Sequence, residues 1–386
     1  MKTLISFALA VCATAAMLAG CSSGGSGSPS PALGSAGSNA SQRGAHTLGQ
    51  RHDGFMGFVE GIAHPDHHKS WRSPELKKDI NGRQLWISDT GTYDVYIYDL
   101  PSLTPVATLT GFSQPQGECS DSSGDVWITN TGYYSGNHVI YEYSHDGTLL
   151  NTLTDPTGLP VGCAWDKTTG NLAVTNIFND GGSEPPGGIL VYTGATGTPT
   201  VYQDPDPNIY AYFSAGYDGR GNLFFDVAPY SYTPAYIDKI PKGSSSVHRI
   251  TVSGGTIYGP GAVQWIPAHG GGKLMVEDDD CSNSFSPITS CIDYITISHS
   301  AGTITSTAAL NNSQGAAACS VSQVVRSGMK LYAGDYEDFG TAYVCANPSA
   351  GTTIDTWSYP SAGNPLKTSA ILSSYNEPDG TAISAP

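Results

Sequence analysis

Two runs in this chain of 386 residues have the side chains to hold a metal ion: Glu277-Asp278-Asp279-Asp280 and His64-Pro65-Asp66-His67-His68. Carboxylate oxygens suit calcium, but successive residues of a strand point to opposite faces, so at most two or three of the four acids can converge on one ion. Three imidazoles beside a carboxylate suit zinc or copper, yet Pro65 and the loop-like context mark a solvated surface segment. No complete metal site is assigned. Glu277, Asp279, His64 and His67 are the candidate ligands, and calcium is the one cofactor that the acids would suit.

A second set of polar groups is periodic. Asp89, Asn130 and Asn176 end the phrases LWISD, VWITN and LAVTN; LFFD at Leu223, LMVED ending at Asp278 and LYAGD ending at Asp335 continue the series. Each phrase reads as the second strand of a unit that opens with a strand such as PQGECS, turns through SSGD, TTGN or GRGN, and closes with a hairpin such as HDGT. The phrases recur every 41 to 57 residues, about the length of one four-stranded propeller blade with growing loop insertions. The expected fold is all-β: a six-bladed β-propeller of four-stranded antiparallel blades. The first unit lacks an opening strand, and the tail Pro378-Asp379-Gly380-Thr381-Ala382-Ile383 supplies one, so the C-terminal strand is expected to pair in the first blade near Trp86.

In such blades the tight turns share one face, and the other face receives the long strand-two to strand-three connections and the links between blades. Tyr93, Tyr133, Tyr134, Phe178, Tyr230, Tyr232, Phe285, Tyr336 and Phe339 fall there, with Asp180, Glu184, Asp279, Asp280, Glu337 and Asp338. Together with Asp89, Asn130, Asn176, Asp278 and Asp335 they form the candidate ligand face, suited to a sugar, a peptide or a cation. The competing role of the strand-end Asx residues is to accept backbone N–H bonds from the next loop.

The formal net charge of −16, with no basic cluster beyond Lys77-Lys78, excludes nucleic acid as a natural partner. Charged residues are only 13% while Gly numbers 47 and Pro 25, which fits short strands and turns rather than long helices. At the N-terminus Lys2 precedes an apolar run from Leu4 to Leu18 and then Leu18-Ala19-Gly20-Cys21. This resembles the bacterial lipoprotein lipobox, which implies cleavage before Cys21 and lipid on its thiol. Ser22 after the cysteine implies the outer membrane of a two-membrane cell. The organisation expected is a signal peptide at 1–20, a Gly/Ser/Pro-rich tether at 21–44, a lead segment at 45–82 and the propeller at 83–386.

Six cysteines then remain for an oxidising compartment. Cys119 lies two residues before Asp121 and Cys163 three before Asp166, so the two face each other from equivalent strands of neighbouring blades. Cys281 and Cys291 can close one loop, and Cys319 and Cys345 pair by subtraction.

Trp86-Ile87-Ser88-Asp89-Thr90-Gly91, Pro115-Gln116-Gly117, Pro160-Val161-Gly162-Cys163, and Asp166 with Gly170-Asn171-Leu172-Ala173-Val174 resemble NHL-type propeller repeats. The similarity runs from about Trp71 to the end, and is nearest to a group of bacterial lipoprotein propellers with similar cysteine positions. It implies fold and not activity. Among enzymes the gluconolactonase type is similar in shape, and its metal site would use the residue between Pro and Gly. Here Gln116 and Val161 stand at that position, and a valine cannot ligate. The histidines of the blade region, His138, His145, His248, His269 and His299, occupy dissimilar positions and suggest no Ser/His/Asp set. The expected function is a monomeric, lipid-anchored binding module of the bacterial cell envelope with an envelope protein or polysaccharide as partner; the alternative is a metal-dependent hydrolase or lactonase.

Overall fold

The computed structural model describes residues 71–72, 82–133, 135–179, 186–231, 234–268, 271–281, 289–336, 351–369 and 377–386. These described residues form strands and turns without an α-helix. The first sheet contains Trp71–Arg72 (β1), Gln84–Asp89 (β2), Asp94–Asp99 (β3) and Thr104–Leu109 (β4). The second contains Pro115–Ser120 (β5), Val126–Asn130 (β6), Val139–Tyr143 (β7) and Leu149–Thr154 (β8). The third contains Gly158–Asp166 (β9), Asn171–Asn179 (β10), Gly188–Tyr192 (β11) and Thr200–Tyr202 (β12). Two meanders follow, Ile209–Tyr217 (β13), Leu223–Pro229 (β14), Tyr236–Ile240 (β15) and His248–Ser253 (β16), then Pro260–Ala268 (β17), Gly271–Asp278 (β18), Cys291–Ser298 (β19) and Ala301–Ala309 (β20). Val325–Ser327 (β21), Lys330–Asp335 (β22), Thr353–Ser358 (β23) and Ala362–Thr368 (β24) make the last internal sheet.

The C-terminal strand Pro378–Ser384 (β25) pairs antiparallel with β2, with Trp86 opposite Ala382 and Leu85 opposite Ile383. The expected closure by the tail is therefore present. β25 lies beside β5, β5 beside β9, β9 beside β13 and β13 beside β17, while β21 returns to β25. Closing the chain in this way leaves the first sheet no open inner edge.

Alternation along the second strands explains why each unit needs neighbours on both sides. Leu85 and Ile87 pack with Tyr332 and Ile354 of β22 and β23, whereas Trp86 between them packs with Val126 and Ile128 of β6. Trp127 in turn joins Leu172 and Val174 of β10. Each second strand is thus an apolar run with both faces buried, unlike the half-solvated strand of a simple hairpin sheet.

Two local devices recur. The aspartate closing an innermost strand folds the hairpin behind it: Asp121 Oδ1 accepts the N–H groups of Ser123 at 2.7 Å and Asp125 at 3.0 Å, and Asp218 Oδ1 those of Arg220 at 2.8 Å and Asn222 at 2.9 Å. The Pro-x-Gly motif makes a β-bulge. Register shifts between Pro115 and Glu118, and again at Asp379 between Pro378 and Gly380.

The sheets depart from a uniform four strands in two places. β1 adds a short outer strand to the first sheet, Trp71 opposite Thr108, so part of the expected lead segment belongs to that sheet. The meanders β13–β16 and β17–β20 merge into one eight-stranded sheet, because the exposed edge of β16 runs parallel to β20 over Thr251–Ser253. Outermost strands carry unpaired N–H and C=O groups, and an edge of matching direction satisfies them.

Cys119–Cys163 joins β5 to β9 across neighbouring sheets, as expected, and Cys281–Cys291 closes its loop. The first bridge spans 44 residues, worth about 4 kcal/mol in the chain-entropy description. Cys319 is also disulfide-bonded; Cys345 lies outside the described residues.

Removing residues 377–386 should break the β2–β25 ladder and expose Trp86. A melting temperature lower by on the order of 10 °C, with a broader transition, is expected in calorimetry. A truncated chain melting within about a degree of the intact one would show that this pairing does not support the fold.

Candidate functional site

The second strands all finish at one end of the sheets, and there the strand-end Asx residues are buried and engaged with loops. Asp89 Oδ1 accepts the N–H of Thr92 at 2.9 Å and of Glu377 at 3.1 Å. Asn130 Oδ1 accepts Ser113 N–H at 2.6 Å, while its amide donates to Asn137 O at 3.2 Å. Asn176 donates to Thr157 Oγ1 at 2.9 Å. Asp278 takes the N–H groups of Tyr258, Gly259 and Asp280 at 2.9, 2.7 and 3.1 Å. Asp335 is buried and its carboxyl interacts with that of Asp355, whose pKa rises to about 6, chiefly by burial. These residues hold the connections in place.

Among the described aromatics of the candidate face, Tyr230 reaches solvent furthest, at 53% exposure. It stands edge-on to Tyr210 at 5.0 Å, and Tyr210 edge-on to Phe178 at 5.1 Å, so a chain of rings runs from the buried Phe178 to the surface. Tyr133 packs on the same cluster. Tyr93 is half-buried with a left-handed backbone, and the Tyr336 hydroxyl donates to Glu377 Oε1 at 3.2 Å. Tyr134, Tyr232, Phe285, Phe339, Cys21, His64 and His67 lie outside the described residues, as do Asp180, Glu184, Glu337 and Asp338.

Charge is divided between the two ends of the sheets. The connections between second and third strands, and those leading to each next innermost strand, contain no Lys or Arg in their sequence. They contain Asp155, Asp204, Asp206, Asp279, Asp280 and Glu377. Arg83, Lys167, Arg220, Lys242, Lys273 and Lys330 stand at or near the opposite, short-turn end. Arg249 of β16 pairs with Asp204 at 2.6 Å and with Asp238. A cation approaching the long-loop end therefore meets carboxylates with little competing positive charge.

Several acids are buried near the innermost strands; the sequence singles out Glu277 among them, but not Glu118, Asp226 or Asp379. Glu118 on β5 accepts from Ser88 Oγ at 2.6 Å, and its Oε2 has no hydrogen-bond partner. Burial pushes its pKa from 4.5 up to about 8, against the pull of the Ser88 hydroxyl and the Ala382 N–H. Gln323 binds the backbone on either side of it, accepting from Glu118 N–H at 2.8 Å and from Thr381 N–H at 2.9 Å. Asp379 in the last bulge accepts from Thr90 Oγ1 and is pushed well above the carboxylate range, first by burial. Asp226 in the middle of β14 and Glu277 next to the end of β18 are fully buried. The available signal was an acid in an innermost or second strand where other units place Thr, Ser or a small residue, as they place Thr129 and Thr175 at the position equivalent to Asp226 and Glu277.

A cavity of about 350 Å³ lies between the innermost strands, lined by Glu118, Trp165, Tyr217, Trp265, Arg326 and Thr381 among others. Its walls are fixed by stacking of Trp165 on Trp127 and of Trp265 on Phe224. Gln116 and Val161 are buried in the bulges. Among described groups, Asp278 comes close to Cys281 and Cys291, but their disulfide removes both sulfurs as ligands. Asp121, Asp125 and Glu142 also converge, half-exposed, at a short turn.

No family model matches the chain, and no curated protein is similar to it. Solved structures are. A chain of the nidogen/laminin complex superposes with a TM-score of 0.55 at 14% identity, covering 78% of this chain and 98% of that one. A protein of unknown function from Bacteroides caccae gives 0.54 at 12% identity, covering 79% of this chain and all of its own. At such identities the likeness concerns fold alone, and with the sheet arrangement it makes this chain a β-propeller.

Glu118 provides a pH test. Its folded-state pKa is raised, so its contribution favours folding at low pH and is lost as pH rises from about 4.5 through about 8. Up to roughly 5 kcal/mol is at stake. Glu118→Gln should melt like the parent at pH 5 and several degrees higher at pH 9. Parallel curves for the two proteins across that range would show that Glu118 is not held neutral.

Proposed function

We propose that this protein is a lipid-anchored, extracytoplasmic binding module of a bacterial envelope, built as a six-bladed NHL-like propeller that presents its long-loop end to an envelope protein or polysaccharide. In this reading the eight-stranded sheet counts as two blades, β13–β16 and β17–β20, and the other four sheets as one each. The lipobox ending at Cys21 supports the anchor, and the disulfides suit an oxidising compartment. One observation carries the partner assignment: the long-loop connections carry carboxylates and no Lys or Arg in their sequence, Asp204 alone being paired to Arg249 of β16 among the described ones, with exposed Tyr230 backed by Tyr210 and Phe178. Aromatic area beside acidic groups fits a polymer of sugars or a basic protein surface.

Two experiments test this. Cys21→Ala should move the protein from the detergent-dependent membrane fraction to the soluble one, since the thiol is the site of lipid attachment; equal membrane retention of both proteins would refute the anchor. Immobilised full chain should retain envelope polysaccharide or protein, and Tyr230→Ala should lower that retention several-fold with the melting temperature within about 2 °C, because half the ring is already in water. Unchanged retention in Tyr230→Ala would remove this ring from the binding surface.

A further inference from the structure

Between β14 and β18 two carboxylates are buried without adequate partners. Glu277 is wholly inaccessible, and neither of its oxygens has a hydrogen bond among the described residues. Asp279, Asp278 and Asp226 all act on it with like charge, and the Ala262 N–H is a weaker influence than any of them. Asp226 is equally inaccessible. Its Oδ1 accepts Ser214 N–H at 2.7 Å, and its Oδ2 has no partner. An uncompensated buried carboxylate is strongly destabilising, and two side by side are more so.

The backbone has been cleared to admit these groups. A Cβ on Gly261 would stand 1.7 Å from Glu277 Oε2, and one on Gly259 would stand 1.5 Å from Asp279 Oδ1. Thus the segment Tyr258-Gly259-Pro260-Gly261 has no side chain where the acids enter. Asp278, from the same run, pins that segment through Tyr258 and Gly259 N–H, leaving Glu277 directed inward. The Gly261 N–H also acts on Asp226, so the two buried carboxylates meet at one glycine.

We propose that Glu277 and Asp226 bind a divalent cation of the calcium class, with Asp279 as a third ligand from the loop. All donors are oxygens, with no imidazole or thiolate, which disfavours zinc and copper. A 2+ ion balances the two buried charges and takes up the oxygens that lack protons to accept. The three carboxylates do not lie within one coordination sphere, so Asp279, half-buried at the rim, is the group that closes on the ion. The site lies beside the long-loop end, where it would fix the Gly259 and Asp279 loops. Its test needs no partner.

The experiment uses the EDTA-treated full chain titrated with CaCl2, with MgCl2 and ZnCl2 in parallel, read by calorimetric binding and by melting temperature. One equivalent of calcium and a rise of several degrees are expected. Glu277→Gln should bind calcium at least tenfold more weakly, yet melt at or above the EDTA-treated parent because an unpaired buried charge has gone. Should that variant fail to fold, Asp226→Asn reads the same loss. Asp121→Asn, at the half-exposed acidic turn, should leave binding unchanged. No calcium-dependent shift in the parent, or a full shift surviving in Glu277→Gln, overturns the proposal.

Discussion

The close approach of the innermost strands is the constraint on which the rest of the fold depends. A Cβ on Gly380 would stand 2.0 Å from Gln116 O, one on Gly117 2.4 Å from Val161 O, and one on Gly162 2.4 Å from Phe213 O; Gly216 repeats the contact with Val263 O at 2.5 Å. Each contact joins one innermost strand to the next. Any larger residue would push the backbones apart, and the interlocked clusters of Trp86, Trp127 and Phe225 would open behind them. The Pro-x-Gly phrase is therefore a packing device: Pro opens the strand, the bulge turns the chain, and Gly admits the neighbour.

That device explains what was legible in the sequence. Pro115-Gln116-Gly117 and Pro378-Asp379-Gly380 share a role because both must pass the same crowded place, so the tail was recognisable as a missing first strand. Cys119 and Cys163 were pairable for a related reason, since their offset from Asp121 and Asp166 sets opposite directions on adjacent strands. Alternation of period two survives in second strands even though both faces are buried, as Leu85, Trp86 and Ile87 show.

Other features are not encoded in a local period. The parallel contact of Thr251 with Ala301 depends on where two outer edges happen to meet, and nothing within either strand reports it. The strand-end Asx residues looked alike in sequence, yet Asp278 accepts three backbone N–H groups while Asn176 has one side-chain partner through its amide. Loop shape decides their bonding. Burial of Glu118, Asp226 and Glu277 was hidden for the opposite reason: an acid in a short strand of a repeat reads as solvent-facing until the neighbouring sheet is in place.

The buried carboxylates do not form one class. Asp89 and Asp278 are supplied with backbone donors, which offset part of the cost of burial; that burial still pushes Asp278 up to about 6. Glu118 accepts from one hydroxyl, no carboxylate presses on it with like charge among its main influences, and burial alone pushes its pKa up to about 8. Glu277 has neither donor, and the carboxylates nearest it share its sign. Protonating both Glu277 and Asp226 would leave hydroxyls that need acceptors in a space emptied by two glycines. One cation satisfies the same oxygens without that demand, which is why an ion, rather than a pair of protons, is the economical occupant of this corner of the fold.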